Sequence, residues 1–246
     1  MKAANSANLG KPADTLQATN LIKHYGGEDV VGGITFSANS GEVLGIVGPN
    51  GAGKTTLLDI LAGLTAADSG NVQWRGKTLL PSRRKQAMFY LPDGIRPYPD
   101  RFALDLLNFF AGVYGHSAAE ISAAIASVEL VPVLRKRVCT LSKGYNRRLL
   151  LALGLLTPQS VLLMDEPFDG FDLRQSRNIV QVLRKEAAGG RTLILAIHQL
   201  ADAERACDRF LLLAGGRVRG VGTLHELRMQ TGLLQGSLED IFLALT

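Results

Sequence analysis

Cysteine is scarce. Cys139 and Cys207 are the only two in 246 residues, and they stand far apart with no C-x-x-C spacing. That excludes a disulfide framework and a cysteine-based metal site, and it fits a reducing cytoplasm. Long apolar runs are missing as well. None approaches the roughly 18 residues that span a bilayer, so a membrane role has to pass through a partner. Residues 1–14 contain no apolar segment of the kind a signal peptide needs. They are polar and rich in small side chains, and they read as a flexible tail. A strong excess of one charge is also absent. The balance of 27 basic against 22 acidic residues leaves a net charge of +5. That excess is solubilising surface charge rather than a nucleic-acid or anionic-membrane signature. No internal repeat or low-complexity block occurs. What remains is a chain of 46% hydrophobic residues, enough for the core of one large α/β domain.

Gly48-Pro49-Asn50-Gly51-Ala52-Gly53-Lys54-Thr55 fills every fixed position of G-x-x-x-x-G-K-[ST], the phosphate-binding P-loop pattern. The frame is also right. The apolar run 43–47 has strand length, and from Thr56 onward apolar residues recur at helical spacing. Glycines at 51 and 53 let the backbone curl around a triphosphate. Its N–H groups then point inward, and the helix N-terminus adds positive potential. Lys54 supplies a cation for the β- and γ-phosphates, and the Thr55 hydroxyl is placed to ligate Mg2+.

Strand patterns at 16–25, 34–38 and 71–74 precede a basic run, Arg83-Arg84-Lys85, read as a solvated face. A strand at 87–91 ends at Pro92, and the Pro97- and Pro99-containing stretch after it is a loop. Helical patterns follow at 102–114, 118–128 and 144–156. The buried run 161–164 ends in Asp165-Glu166. An amphipathic helix at 173–188, a strand at 192–197 and further strand and helix patterns complete the chain. Strands alternating with helices predict a mostly parallel sheet flanked by helices.

Asp165, at the carboxyl end of a strand expected beside the P-loop strand, is in reach of a Mg2+ on Thr55. Glu166 would face the γ-phosphate and polarise an attacking water. Taken in order, Gly48 to Thr55, then Leu141-Ser142-Lys143-Gly144-Tyr145, then 161–166, then His198, the chain resembles the ATP-binding cassette (ABC) ATPases over nearly its whole length. The resemblance implies the ABC ATPase fold: a P-loop NTPase core, an antiparallel β subdomain, and a helical subdomain at about 94–157 within a single domain at 15–246.

It also implies site roles. Residues 141–145 match the family's Leu-Ser-Gly-Gly-Gln signature, so Ser142 and Gly144 would bind the γ-phosphate of ATP held by a second subunit. Read without the family, Ser142 is a helix N-cap. Tyr25 matches the aromatic that stacks on adenine, and His198 the switch histidine that contacts the γ-phosphate. Residues 168–172 occupy the loop that crosses the dimer interface. Three departures stand out: Lys143 and Tyr145 in the signature, Asp93 where the family has a glutamine, and Asp169 and Phe171 where that interface loop has small residues. Asp93 would accept from water or ligate Mg2+.

The reading that follows is an ATP-driven clamp with ATP and Mg2+ as ligands. Its partners are a second ABC ATPase subunit, identical or paralogous, and an integral-membrane permease on a separate chain, with no nucleic acid. The ending 237–246 resembles the tail of stand-alone ATPase subunits of ABC-2 type exporters, which would place the chain in the cytoplasm against the inner face of the membrane. Phe109 and Phe110 are docking or core residues on equal terms. Alternatives are a soluble ABC ATPase acting on nucleic acid or ribosomes, a non-hydrolysing regulatory subunit, and a P-loop kinase, for which no acceptor site or lid is visible.

Overall fold

In the segment Thr15–Tyr25 (β1), Leu16, Ala18 and Leu21 are buried among exposed and half-exposed residues, the pattern of a sheet with one wet face. The computed structural model describes residues 15–246, so the expected tail at 1–14 lies outside the described residues. Strand β1 pairs antiparallel with Glu28–Asn39 (β2), Leu16 standing opposite Ala38. Ser69–Trp74 (β4) pairs on its other side and Lys77–Thr78 (β5) follows, giving the order β2-β1-β4-β5. The expected strand at 34–38 is thus only the second half of β2. Gly32 and Gly33 interrupt the apolar alternation that would have revealed the rest.

The second sheet contains Val43–Val47 (β3), Met88–Leu91 (β6), Val161–Asp165 (β7), Thr192–Ile197 (β8), Arg209–Ala214 (β9) and Arg217–Gly222 (β10). Its order is β10-β9-β3-β8-β7-β6. All neighbours are parallel except β10, an antiparallel edge. Strands β3, β7 and β8 are buried at every residue. Both of their faces are covered, and this is why they read as unbroken apolar runs.

One expectation changes here. Strand β7 is not beside β3; β8 lies between them. Parallel strands are joined by crossovers, so order along the chain does not set order in the sheet. The helix that follows the P-loop, Lys54–Ala62 (α1), restores the contact. It buries Leu57, Leu58, Ile60 and Leu61 in a core shared with β1, β2 and the inner face of the central sheet. It also lies over β7 and β8, which brings its first turn to the end of β7.

The opposite face of the central sheet carries the remaining helices. Ala103–Tyr114 (α2), Ala118–Ser127 (α3) and Lys143–Leu155 (α4) pack on one another, and α4 also packs on β6. Leu173–Ala188 (α5), Leu200–Ala206 (α6), Leu224–Thr231 (α7) and Leu238–Leu245 (α8) complete the layer. No helix of the described residues is long and apolar enough to cross a membrane.

The basic run is a second correction. Arg83 and Lys85 are exposed, but Arg84 is buried in a 3-10 turn, Pro81–Gln86. Its guanidinium donates to the Leu79 carbonyl at 3.2 Å and to the Ile60 carbonyl. Ile60 lies in the last turn of α1, where its carbonyl also accepts from the Gly63 N–H at 3.0 Å and a cation is favoured. Burial pushes the Arg84 pKa below its ordinary value, and the carbonyl acceptors compensate the lost hydration.

Candidate functional site

The P-loop leaves β3 at Val47 and enters α1 at Lys54. Two of its glycines are required by close backbone. A Cβ at Gly48 would lie 2.2 Å from the Leu213 carbonyl oxygen, and one at Gly53, where φ is 94°, would lie 2.3 Å from that of Val30. Gly51 has open space around it but also a left-handed φ of 81°. Lys54 is buried, and its Nζ donates to the carbonyl oxygens of Gly48 at 2.8 Å and Pro49 at 3.2 Å. It also lies 3.9 Å from Glu166 Oε1. Burial lowers the Lys54 pKa, against the opposing pull of Glu166 and Asp165.

The loop opens on a cavity of about 610 Å3. Asn50, Gly51, Gly53, Lys54, Thr55 and Thr56 line one side of it, and Asp93, Asp165 and Glu166 the other. The Thr55 hydroxyl donates to Asp165 Oδ2 at 2.7 Å. A hydroxyl and one carboxylate side by side are the oxygen donors a hard divalent cation takes from a protein, the rest coming from phosphate and water. Among the described residues no cluster of three or more His, Cys, Asp or Glu could hold a metal ion unaided. The Thr55–Asp165 donor pair fits magnesium delivered with a nucleotide.

Glu166, just past β7, has a left-handed φ of 50°. Its N–H donates to the Ala196 carbonyl at 2.9 Å, so the pairing with β8 holds this uncommon conformation in place. His198, just past β8, places Nδ1 2.6 Å from Glu166 Oε2. The two residues were expected as separate actors, and adjacent strand ends make them a pair. Sequence reasoning missed Asp59 and Tyr90, which line the same cavity. Burial, reinforced by Asp165, raises the Asp59 pKa. Burial likewise raises that of Tyr90. Asp59 was findable, because it lies one helical turn beyond Thr55.

Other expected residues sit elsewhere. Tyr25, at the β1–β2 turn, is 50% exposed, with Lys23 Nζ 5.4 Å from its ring centre. The Ser142 hydroxyl accepts from the Tyr145 N–H at 3.3 Å and so is the N-cap of α4. Gly144 abuts the Gly170 carbonyl. Neither Ser142 nor Gly144 lines the P-loop cavity of its own chain. Phe109 and Phe110 differ in their surroundings. Phe110 packs edge-on against Phe89 at 6.2 Å, while Phe109 is 57% exposed.

Comparison with known proteins identifies the family. The family described as ABC transporter matches residues 31–169. The linearmycin resistance ATP-binding protein LnrL of Bacillus subtilis is 33% identical over 223 residues, covering 88% of this chain and 72% of that one. The Nod factor export ATP-binding protein I of Ralstonia nicotianae is 35% identical over 218 residues, covering 86% and 68%. A solved structure of an ATP-binding subunit of an ABC transporter superimposes with a TM-score of 0.84 at 30% identity, over 94% of this chain and 98% of that one. In motif order, fold and sequence alike, the chain belongs to the ABC transporter family.

Proposed function

We propose that the chain is the ATP-hydrolysing subunit of an ABC transporter and drives export through a separate membrane permease by closing on ATP as a dimer. The observation that carries this is the meeting of Lys54, the Thr55–Asp165 pair and Glu166 at one cavity, with His198 behind Glu166 at 2.6 Å. Backbone N–H groups of the P-loop and Lys54 bind and orient the triphosphate. Thr55 and Asp165 would hold magnesium, which would supply neutralisation of the charge developing on the phosphoryl oxygens. Glu166 accepts a proton from water as that water's oxygen bonds to the γ-phosphorus and the bond to the bridging oxygen of ADP breaks. His198 orients Glu166 and steadies charge at the γ-phosphoryl group.

In this reading Ser142 and Gly144 face away from their own P-loop because they complete the partner subunit's site. The start of α4 gives them the N–H groups and dipole suited to an anion. Tyr25 offers a half-exposed ring for adenine. The permease docks at a groove of about 350 Å3 whose lining includes Tyr98, Leu106 and Phe109. Export is supported by the name of one relative, the Nod factor export ATP-binding protein I, and docking would place the chain on the cytoplasmic face of the membrane.

The test is light scattering of Glu166→Gln with Mg-ATP against Mg-ADP, beside turnover by the wild type. The expected result is a dimer with Mg-ATP only, with hydrolysis in the wild type. A variant that stays monomeric with both nucleotides would overturn the dimer clamp. A wild type that binds ATP without turning it over would overturn hydrolysis.

A further inference from the structure

Four charged side chains beside the ATP cavity form a chain of alternating sign. Asp93 Oδ1 lies 2.5 Å from Arg147 Nη2, which is 3.9 Å from Asp169 Oδ2, itself 2.5 Å from Lys143 Nζ. Together they join the loop after β6, the first turns of α4, and the loop between β7 and α5. Arg147 is the centre of this chain and only 7% exposed. Its Nη1 donates to the Asp165 backbone carbonyl at 2.9 Å. One buried guanidinium thus grips both the Asp93 carboxylate and the end of the strand that leads into Glu166. Spanning two acceptors in this way needs the planar fork of arginine; a lysine offers a single point charge.

Asp93 lines the ATP cavity together with Asp59, Asp165 and Glu166. A magnesium ion offsets the charge of Asp165 when nucleotide is bound, but a further bare carboxylate opposes a triphosphate by direct repulsion. Arg147 supplies the offsetting charge from the α4 side, where Ser142 begins the same helix.

We propose that Arg147 is a positioning residue of the ATP site: its guanidinium, rather than a metal ion, takes up the charge of Asp93 and ties the loop after β6 and the end of β7 to α4. This rests on the ATP-site reading above. It also gives a physical link within one subunit. The cation beside its own ATP cavity sits on the helix whose first turn would meet the partner subunit's nucleotide.

The test is isothermal calorimetry of the full chain with ATP in EDTA and with Mg-ATP, for Arg147→Gln, Asp93→Gln and the double variant. The singles should move in opposite directions. Arg147→Gln exposes the Asp93 charge and weakens metal-free ATP binding about threefold to tenfold, whereas Asp93→Gln leaves Arg147 with only the more distant Asp169 as a carboxylate partner and tightens it by a similar factor. The double variant returns to within about twofold of wild type, the non-additivity expected of a coupled pair. If both singles weaken binding alike, Arg147 only packs, and the proposal fails. If Asp93→Gln weakens Mg-ATP but not metal-free ATP, Asp93 is a metal ligand, and the proposal fails. Should Arg147→Gln not fold, Asp93→Gln decides alone, because Asp93 stands on a loop with a half-exposed side chain. Tighter metal-free ATP binding then supports the pair, and unchanged or weaker binding overturns it. A wild type that binds no ATP at all would instead sink the underlying reading of the site.

Discussion

Asp165 and Glu166 are chain neighbours held in opposite circumstances. Asp165 is 3% exposed at the end of β7, its carboxylate turned to Thr55. Glu166 has left the strand in a left-handed turn and points to Lys54 and His198. On the proposed reading the strand end delivers two carboxylates to different tasks, one to a cation and one to water. The arrangement costs stability. Burial raises the Asp165 pKa above its ordinary 3.8, and Asp93 adds to that, against the Thr55 hydrogen bond and the charges of Lys54 and Arg147. A folded-state pKa above the unfolded value means that the group's stabilising contribution is present below about pH 3.8 and is lost as pH rises through the raised value. Near neutral pH the ionised, buried Asp165 is thus a net burden on the metal-free protein. Asp165→Asn keeps an acceptor for Thr55 and removes the charge. We expect it to raise Tm near pH 7 by about 2–4 °C, as a gain of about 1 kcal/mol would, while abolishing ATP hydrolysis. The gain should shrink as pH falls toward 4, a trend visible in calorimetric scans with EDTA and no nucleotide. A Tm at neutral pH equal to or below wild type would contradict the desolvation account.

The elements that build the site were legible where the signal is local. The P-loop, the strands Val43–Val47 and Thr192–Ile197 and the helix Leu173–Ala188 were readable from apolar runs and glycine turns. Asp172 and Gln175 form the capping box that starts that helix. What escaped depends on contacts between distant positions. Nothing local says that β8 enters between β3 and β7, or that Arg147 reaches Asp93 across 54 positions. Arg84 escaped for the same reason. Within its basic run it is indistinguishable from Arg83, and only the fold sets it against the last turn of α1. This difference predicts a contrast. Arg84→Ala removes the charged donor from the Ile60 and Leu79 carbonyls, leaving Ile60 only the Gly63 N–H, and should lower the unfolding free energy by about 1–3 kcal/mol. Arg83→Ala, at an exposed position, should stay within about 0.5 kcal/mol of wild type. Urea unfolding with an unchanged m-value reads both. Equal effects would show that Arg84 contributes no more than a surface charge.

At the scale of the whole molecule, α1 is the shared wall of two structures. Its buried face serves the antiparallel sheet and the central sheet together, and its first residues carry the ATP cavity. Bound nucleotide would bridge α1 to the ends of β7 and β8, segments more than 100 positions away in sequence. Those ends hold like charges that the free protein keeps close together, Asp165 and Glu166 with Asp59 and Asp93 around the same cavity. A ligand that brings its own cation and engages Lys54 relieves this repulsion only in the folded state, so binding appears as global stability by mass action. With Glu166→Gln to prevent turnover, Mg-ATP at about 100 times its Kd should add about 2.7 kcal/mol, or about 5–10 °C in Tm for a chain of this size. Lys54→Ala in the same background should lose most of that shift, because the phosphates lose the one cation of the P-loop. ATP with EDTA should give a smaller shift than Mg-ATP, since Thr55 and Asp165 then face the phosphates without their metal. Equal shifts with and without magnesium would mean that the Thr55–Asp165 pair does not hold the ion.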